Sequence, residues 1–215
     1  MSTAPASPQS AARWAIDALS SRFSVGARHL KAPAPSEAQW LQATALSLRA
    51  PDHGGLQPFR FVHIDDAQRP ALAEGFAQDA VRRGHSAAEI ERARDRALKG
   101  PGLVALVGRI RDEVADVTPH EQWICIGAAL MNFLNALHLM GFAAKVVSGA
   151  SVRDPGIAAA FCAPGETLIA WIVAGTASRP PRPKRLDDAA APFSRWRPDG
   201  CAGPASGGRA ASAAP

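Results

Sequence analysis

Residues 102–108 read GLVALVG, an apolar run with no polar residue at any alternate position. A strand with one wet face alternates apolar and polar side chains, so an unbroken run belongs to a central strand covered on both faces. The remaining periodicities supply the cover. A first helix starts near Ser7-Pro8, Pro being suited to a first turn, with Trp14, Ala18, Leu19 and Phe23 as its apolar stripe. Ser36 with Gln39 forms a capping box for a helix through Trp40, Leu41, Ala45 and Leu48 to Arg49, after which FRFVHI reads as a strand. A helix over 67–82 follows. Ser86 with Glu89 then opens a polar helix ending near Gly100. Pro119 opens a long helix that Gly141 closes as a C-terminal cap. AKVVSGA reads as a strand, DPGIAAAFCA as a short helix and ETLIAWIVAGT as a strong strand. Four or five strands interleaved with about six helices make an α+β or α/β single domain.

At 215 residues, 47% hydrophobic and 20% charged, the chain suits one ordered domain with a proper core. Residues 1–9 and 198–215 are rich in Ala, Pro, Ser and Gly and read as a mobile N-terminus and a disordered tail around a domain at 10–197. WICIGAALMNFLNALHLMGF is interrupted by Asn132, Asn135 and His138, so it reads as a buried helix rather than a membrane span. The N-terminus lacks the layout of a signal peptide, which gives a cytoplasmic expectation. Cys125, Cys162 and Cys201 have no metal spacing, so no metal site is expected. The net charge of +5 invites a nucleic-acid reading. Yet VRRGHSAAEIERARDRALKG alternates Arg with Glu and Asp, as on a solvated helix face with local ion pairs. Only RPPRPKRLDD is a basic cluster, and a bound anion accounts for it as well as a polymer does. No nucleic-acid or membrane partner is expected.

Four separated stretches carry candidate chemistry: SRFSVGARHL, RAPDHGGLQPFRF, GFAAKVVSGA and VAGTASRPPRPKRL. Arg22 beside Ser24 suits phosphate, since a guanidinium forks across two oxygens while a hydroxyl donates a further bond. RAPDHGGLQPFRF is a tight helix-to-strand loop presenting Arg49, Asp52, His53 and Gln57 at one rim, with Gly54 and Gly55 allowing close backbone approach. That loop reads either as a well-made turn or as part of a site. Neither a P-loop nor a G-x-G-x-x-G fingerprint occurs, and no Ser-His-Asp grouping or converging pair of carboxylates can be identified.

In this order RFSVGAR, RAPDHGGLQPFRF, HEQWICIGAA, GFAAKVVSGA and VAGTASRPPRPKR resemble the stretches that mark the nitroreductase family, closest to its small single-domain members. The resemblance spans about residues 10–196. It implies an α+β fold with a mixed β-sheet of four to five strands wrapped by helices, FMN as cofactor, and NADH or NADPH as co-substrate. By the same resemblance FMN is lined by Arg22, Phe23, Ser24, Arg49 and His53, by Val146, Val147 and Ser148 of the SG turn, and by Lys184 and Arg185 of the basic segment, with Gln57 a weaker candidate. The departures are specific. Phe23 stands where a second Arg is usual, one residue is inserted between Ser24 and Arg28, KVVSG replaces an aromatic- or Arg-bearing turn, and His120 occupies an aromatic position.

A bound flavin brings its own redox chemistry, so no catalytic side chain is required. The leading expectation is an oxidoreductase passing hydride from NAD(P)H through FMN to a nitroaromatic, quinone or related small acceptor. The alternatives are other flavin chemistry of the same superfamily, such as dehydrogenation or dehalogenation, and a flavin-binding protein without turnover. The apolar residues Met131, Phe133, Leu134, Leu137, Leu139 and Met140 of the long helix exceed what one small sheet covers, which points to a homodimer. In the resembled family the flavin lies at the subunit boundary.

Overall fold

The computed structural model describes residues 7–179, together with 192, 193 and 196. Six helices and five strands follow one another as α1 (Pro8–Ser20), β1 (Leu30–Lys31), α2 (Glu37–Ser47), β2 (Phe59–His63), α3 (Arg69–Arg82), α4 (Ala87–Leu98), β3 (Gly102–Arg109), α5 (Pro119–Leu139), β4 (Ala143–Val147), α6 (Pro155–Phe161) and β5 (Glu166–Ala177). The capping boxes at Ser36–Gln39 and Ser86–Glu89 form as read from sequence, and two more close around Ser7–Ser10 and Thr118–Glu121. Because Ser7 caps α1, that helix begins inside the 1–9 stretch set apart on composition. Gly141 takes φ 87°, and the Phe142 N–H donates to Leu137 O at 2.9 Å, closing α5. The two-residue strand β1 is absent from the sequence reading, being too short to carry a period.

β5 is the spine of the sheet. One edge pairs with β3, which pairs in turn with β2; the other edge pairs with β4 over Trp171–Gly175 and with β1 over Thr176–Ala177. Every pairing between strands is antiparallel. The parallel component of the expected mixed sheet is reduced, among the described residues, to an isolated bridge between Ser24 and Ala144. The β3–β5 ladder shifts register between Leu106 and Val107, so that Ile169 is the extra residue of a bulge and Leu168 and Trp171 come to share a face.

The GLVALVG run is buried throughout, as a strand covered on both sides must be. Leu103, Ala105 and Val107 point to a core shared with α3, α4 and α6, where Phe76 and Phe161 pack edge-on to Trp171. Val104 and Leu106 point to a second core under α2 and α5, where Phe133 stacks on Trp40 and Phe61. The α5 helix, expected to be buried, is buried on one face. Its 21 residues are long and apolar enough to cross a membrane, but one face holds Cys125, Ile126, Ala129, Phe133 and Leu137 in the core. The other face leaves Trp123, Ile124, Met131 and Leu139 exposed. The apolar stripe of α1 is largely outward: Trp14 and Leu19 are exposed, Phe23 just past the helix packs against the core, and His138 of α5 ties the helix down by donating from Nε2 to Ala18 O at 2.9 Å.

Candidate functional site

The first stretch runs beside β4. Ser24 bridges Ala144 in parallel register, and the Val25 N–H donates to Ala144 O at 3.1 Å. Arg22 and Phe23 line a small hollow with Leu134, His138 and Phe142, while Ala27 reaches the wall of a larger cavity farther along the strand. The alternation of β4 turns Val146 towards α5 and Val147 into that cavity. Ser148 is exposed at the strand end, its hydroxyl donating to Ile169 O at 2.9 Å. Six of the sequence candidates thus form one strip: Arg22, Phe23, Ser24, Val146, Val147 and Ser148.

The cavity has a volume of about 310 Å³. Phe76, Leu103, Trp171 and Val173 give it an apolar floor, and Arg83, His85, Arg96 and Lys99 stand among its lining. Arg83 is a wall tie rather than a free cation: Nε donates to Asp79 Oδ1 at 2.5 Å and Nη2 to Ala150 O at 2.9 Å. The Trp171 indole donates to Ser151 Oγ at 3.1 Å, which fixes the floor against the turn at 150–153. Beside Gly149 the space is open, no atom outside its chain neighbours lying within 4 Å of where a Cβ would be. An apolar cleft with a few convergent polar groups is the usual form of a small-molecule site. Sequence reasoning missed Trp171, Arg96 and Lys99. The three-residue spacing of Arg96 and Lys99 places them on one side of the α4 end, but Glu89, Glu91 and Asp95 earlier in the helix masked that signal.

Arg49 and His53 are elsewhere. Both are exposed on the α2–α5 side, across the sheet from the cavity. Arg49 lines a hollow with Leu46, Ala136, Leu139 and Met140 at the end of α5. His53 Nδ1 lies 3.0 Å from Glu121 Oε1 in the first turn of α5. Glu121 and Leu139 are 18 residues apart, about 27 Å of helix axis. The loop itself is governed by turn chemistry. The Asp52 carboxylate accepts from the N–H groups of Leu56 at 3.1 Å and Gln57 at 2.8 Å, and Gly54 and Gly55 take φ 76° and 63°. Gln57 is stitched into its own loop, and His53 does not cap its own helix but braces another. Lys184 and Arg185 lie outside the described residues.

Glu121 closes the α5 capping box while facing His53. The Thr118 backbone N–H, the His53 ring and the Thr118 hydroxyl hold its carboxyl down to about 2. Burial pushes the Cys125 thiol up to about 11, as suits an unreactive core residue. No cluster of three metal-ligating side chains occurs among the described residues.

Comparison with known proteins matches this arrangement to one family. Residues 19–176 match the model of the Nitroreductase family, so the chain belongs to that family. It is 29% identical over 163 residues to the Escherichia coli (strain K12) protein named "Putative NAD(P)H nitroreductase YdjA", covering 75% of this chain and 87% of the relative. A Nitroreductase-like Family Protein from Bacillus cereus shares the fold with a TM-score of 0.73 at 15% identity, covering 91% of this chain and 98% of that one. A point mutant of the FMN and NADPH-dependent nitroreductase NfnB of sphigopyxis sp. strain HMH aligns with a TM-score of 0.64 at 17% identity, over 86% of this chain and 99% of that one.

Proposed function

We propose that this protein is an FMN-dependent NAD(P)H oxidoreductase whose flavin site is built on the strip joining residues 22–27, β4 and the Trp171 cavity. The single observation that carries this reading is that continuity: phosphate-type donors at Arg22 and Ser24 lead along β4 to an apolar-floored cavity edged by Lys99. The donor set fits the cofactor. Arg22 and Ser24 suit a terminal phosphate, Val147 and the open backbone at Ser148–Gly149 suit close approach of a planar ring, and Lys99 offers a cation to its polar edge. Bound FMN supplies two-electron transfer from NAD(P)H to a conjugated acceptor, of which nitroaromatics and quinones are the class the family resemblance favours. The chain's own residues bind, orient and exclude water; no side chain is assigned a proton transfer.

Arg49 and His53 lie on the α2–α5 side, across the sheet from the Trp171 cavity, so a single chain does not bring all the candidates together. A homodimer that places the Arg49–His53 loop of a second copy beside the strip would complete the site. The exposed apolar residues Trp123, Ile124 and Met131 on α5, with Leu46 and Leu48 by Arg49, support such an interface. The burial of one α5 face in the core supports reading this segment as a core helix rather than a membrane span.

The test is spectroscopic. Purified protein should carry or take up FMN with the absorbance of a bound flavin, bleach under NADH or NADPH, and recover its colour when a nitroaromatic or quinone is added. Protein that stays colourless in saturating FMN would defeat the proposal. Protein that is yellow yet never bleaches with either nucleotide would be a flavin-binding protein without turnover.

A further inference from the structure

The charge alternation of α4 predicts a face of local ion pairs, and only part of it forms. Arg94 pairs with Glu74 and Glu91, and His85 approaches Glu89. Arg92, Arg96 and Lys99 have no carboxylate within ion-pair distance among the described residues. These three line a groove of about 380 Å³ with His85 and Glu89. Glu89 is already engaged, accepting from the Ser86 N–H at 2.9 Å and the Ser86 hydroxyl at 2.7 Å. The groove shares His85, Arg96 and Lys99 with the Trp171 cavity, so the two adjoin.

Arg92 and Arg96 are four residues apart and Arg96 and Lys99 three, spacings at which like charges on a helix repel. Such an arrangement is stabilised by an anion that several donors can share, and a guanidinium fork matches a phosphate monoester. We propose that this groove binds the 2′-phosphate of NADPH and gives the enzyme a preference for NADPH over NADH. The proposal rests on the flavin reading above: with the flavin ring against the Trp171 cavity, the nicotinamide that reduces it sits at the cavity mouth. From there the adenosine end passes along α4, where a ribose hydroxyl would leave Arg92 and Arg96 unneutralised and a phosphate would not.

Arg92 lines the groove and not the cavity, so it separates the two sites. The probes are 2′,5′-ADP and 5′-AMP, titrated calorimetrically into wild type and Arg92→Glu, alongside steady-state kinetics with both dinucleotides. We expect 2′,5′-ADP to bind at least about ten-fold tighter than 5′-AMP, the scale of a charge-assisted contact, and Arg92→Glu to erase that difference. The KM for NADPH should rise about ten-fold or more in the variant while that for NADH and the FMN content stay unchanged. Equal binding of the two adenosine probes to wild type overturns the proposal. So does a variant that loses FMN relative to riboflavin, since the groove would then hold the flavin's own phosphate. In protein that takes up no FMN the flavin reading falls by itself, while the adenosine titration still decides the groove.

Discussion

His53 Nδ1 lies 3.0 Å from Glu121 Oε1, joining the turn after α2 to the first turn of α5. The contact gives a pH signature. Glu121 is depressed on folding from an ordinary value of 4.5 to about 2, so it stabilises the fold above its unfolded value and loses that contribution as pH falls through this window. Glu89 and Glu166 are lowered to about 2 as well, Glu89 chiefly by Ser86 and Glu166 chiefly by Arg60. Glu121→Gln should therefore flatten, without abolishing, the acid-dependent loss of stability between about pH 4.5 and 2. Denaturant unfolding followed across that window checks it, and a variant with the wild-type slope would count against it.

Arg60 and Glu166 form a partly buried ion pair at the sheet edge. The Glu166 side chain is 12% exposed, and Arg60 reaches it through Nε at 2.8 Å while Nη2 also meets Phe161 O. Removing the cation strands a largely buried carboxylate. Arg60→Ala should cost about 2–3 kcal/mol, less than a fully buried pair because Arg60 is partly solvated. Arg60→Lys should recover only part of this, since an ammonium cannot make the fork. Equilibrium urea unfolding at neutral pH gives both values.

Val147 lines the Trp171 cavity yet is 40% exposed, so its side chain can be enlarged without invading the core. Val147→Trp should fill the cavity, leave the melting temperature of flavin-free protein unchanged and weaken FMN binding at least ten-fold. Arg22→Ala should weaken FMN by about 1.5–3 kcal/mol, the worth of a charged hydrogen bond, without affecting riboflavin. Fluorescence titration with the two flavins distinguishes loss of the phosphate contact from loss of the ring pocket.

The outward face of α5 makes a separate claim about assembly. Ile124 is 63% exposed and Met131 43%. Ile124→Asp with Met131→Asp should convert a dimer to a monomer in light scattering and lower FMN affinity together with it, because the second copy's Arg49 and His53 would be lost. A monomeric wild type that binds FMN tightly would overturn the proposed interface.

Much of this was legible in the residues themselves. Local rules acted at Ser36–Gln39, at Ser86–Glu89, at Gly141 and in the unbroken apolar run of β3, where propensity, capping and burial agree over a few neighbouring positions. The family motifs also marked which stretches to watch. What the chain order left open was which of them meet. Arg49 and His53 are four residues apart in sequence, yet one side chain lines the end of α5 and the other braces its beginning. Ser24 meets Ala144, 120 residues away, through backbone pairing that no side-chain pattern encodes. The same holds on α4. Sequence alternation implied neutralised charge, but helix rotation pairs Arg94 and turns Arg92, Arg96 and Lys99 to a groove whose one carboxylate, Glu89, is held by Ser86. The 3.6-residue period, and not adjacency in the chain, decides which side chains face each other.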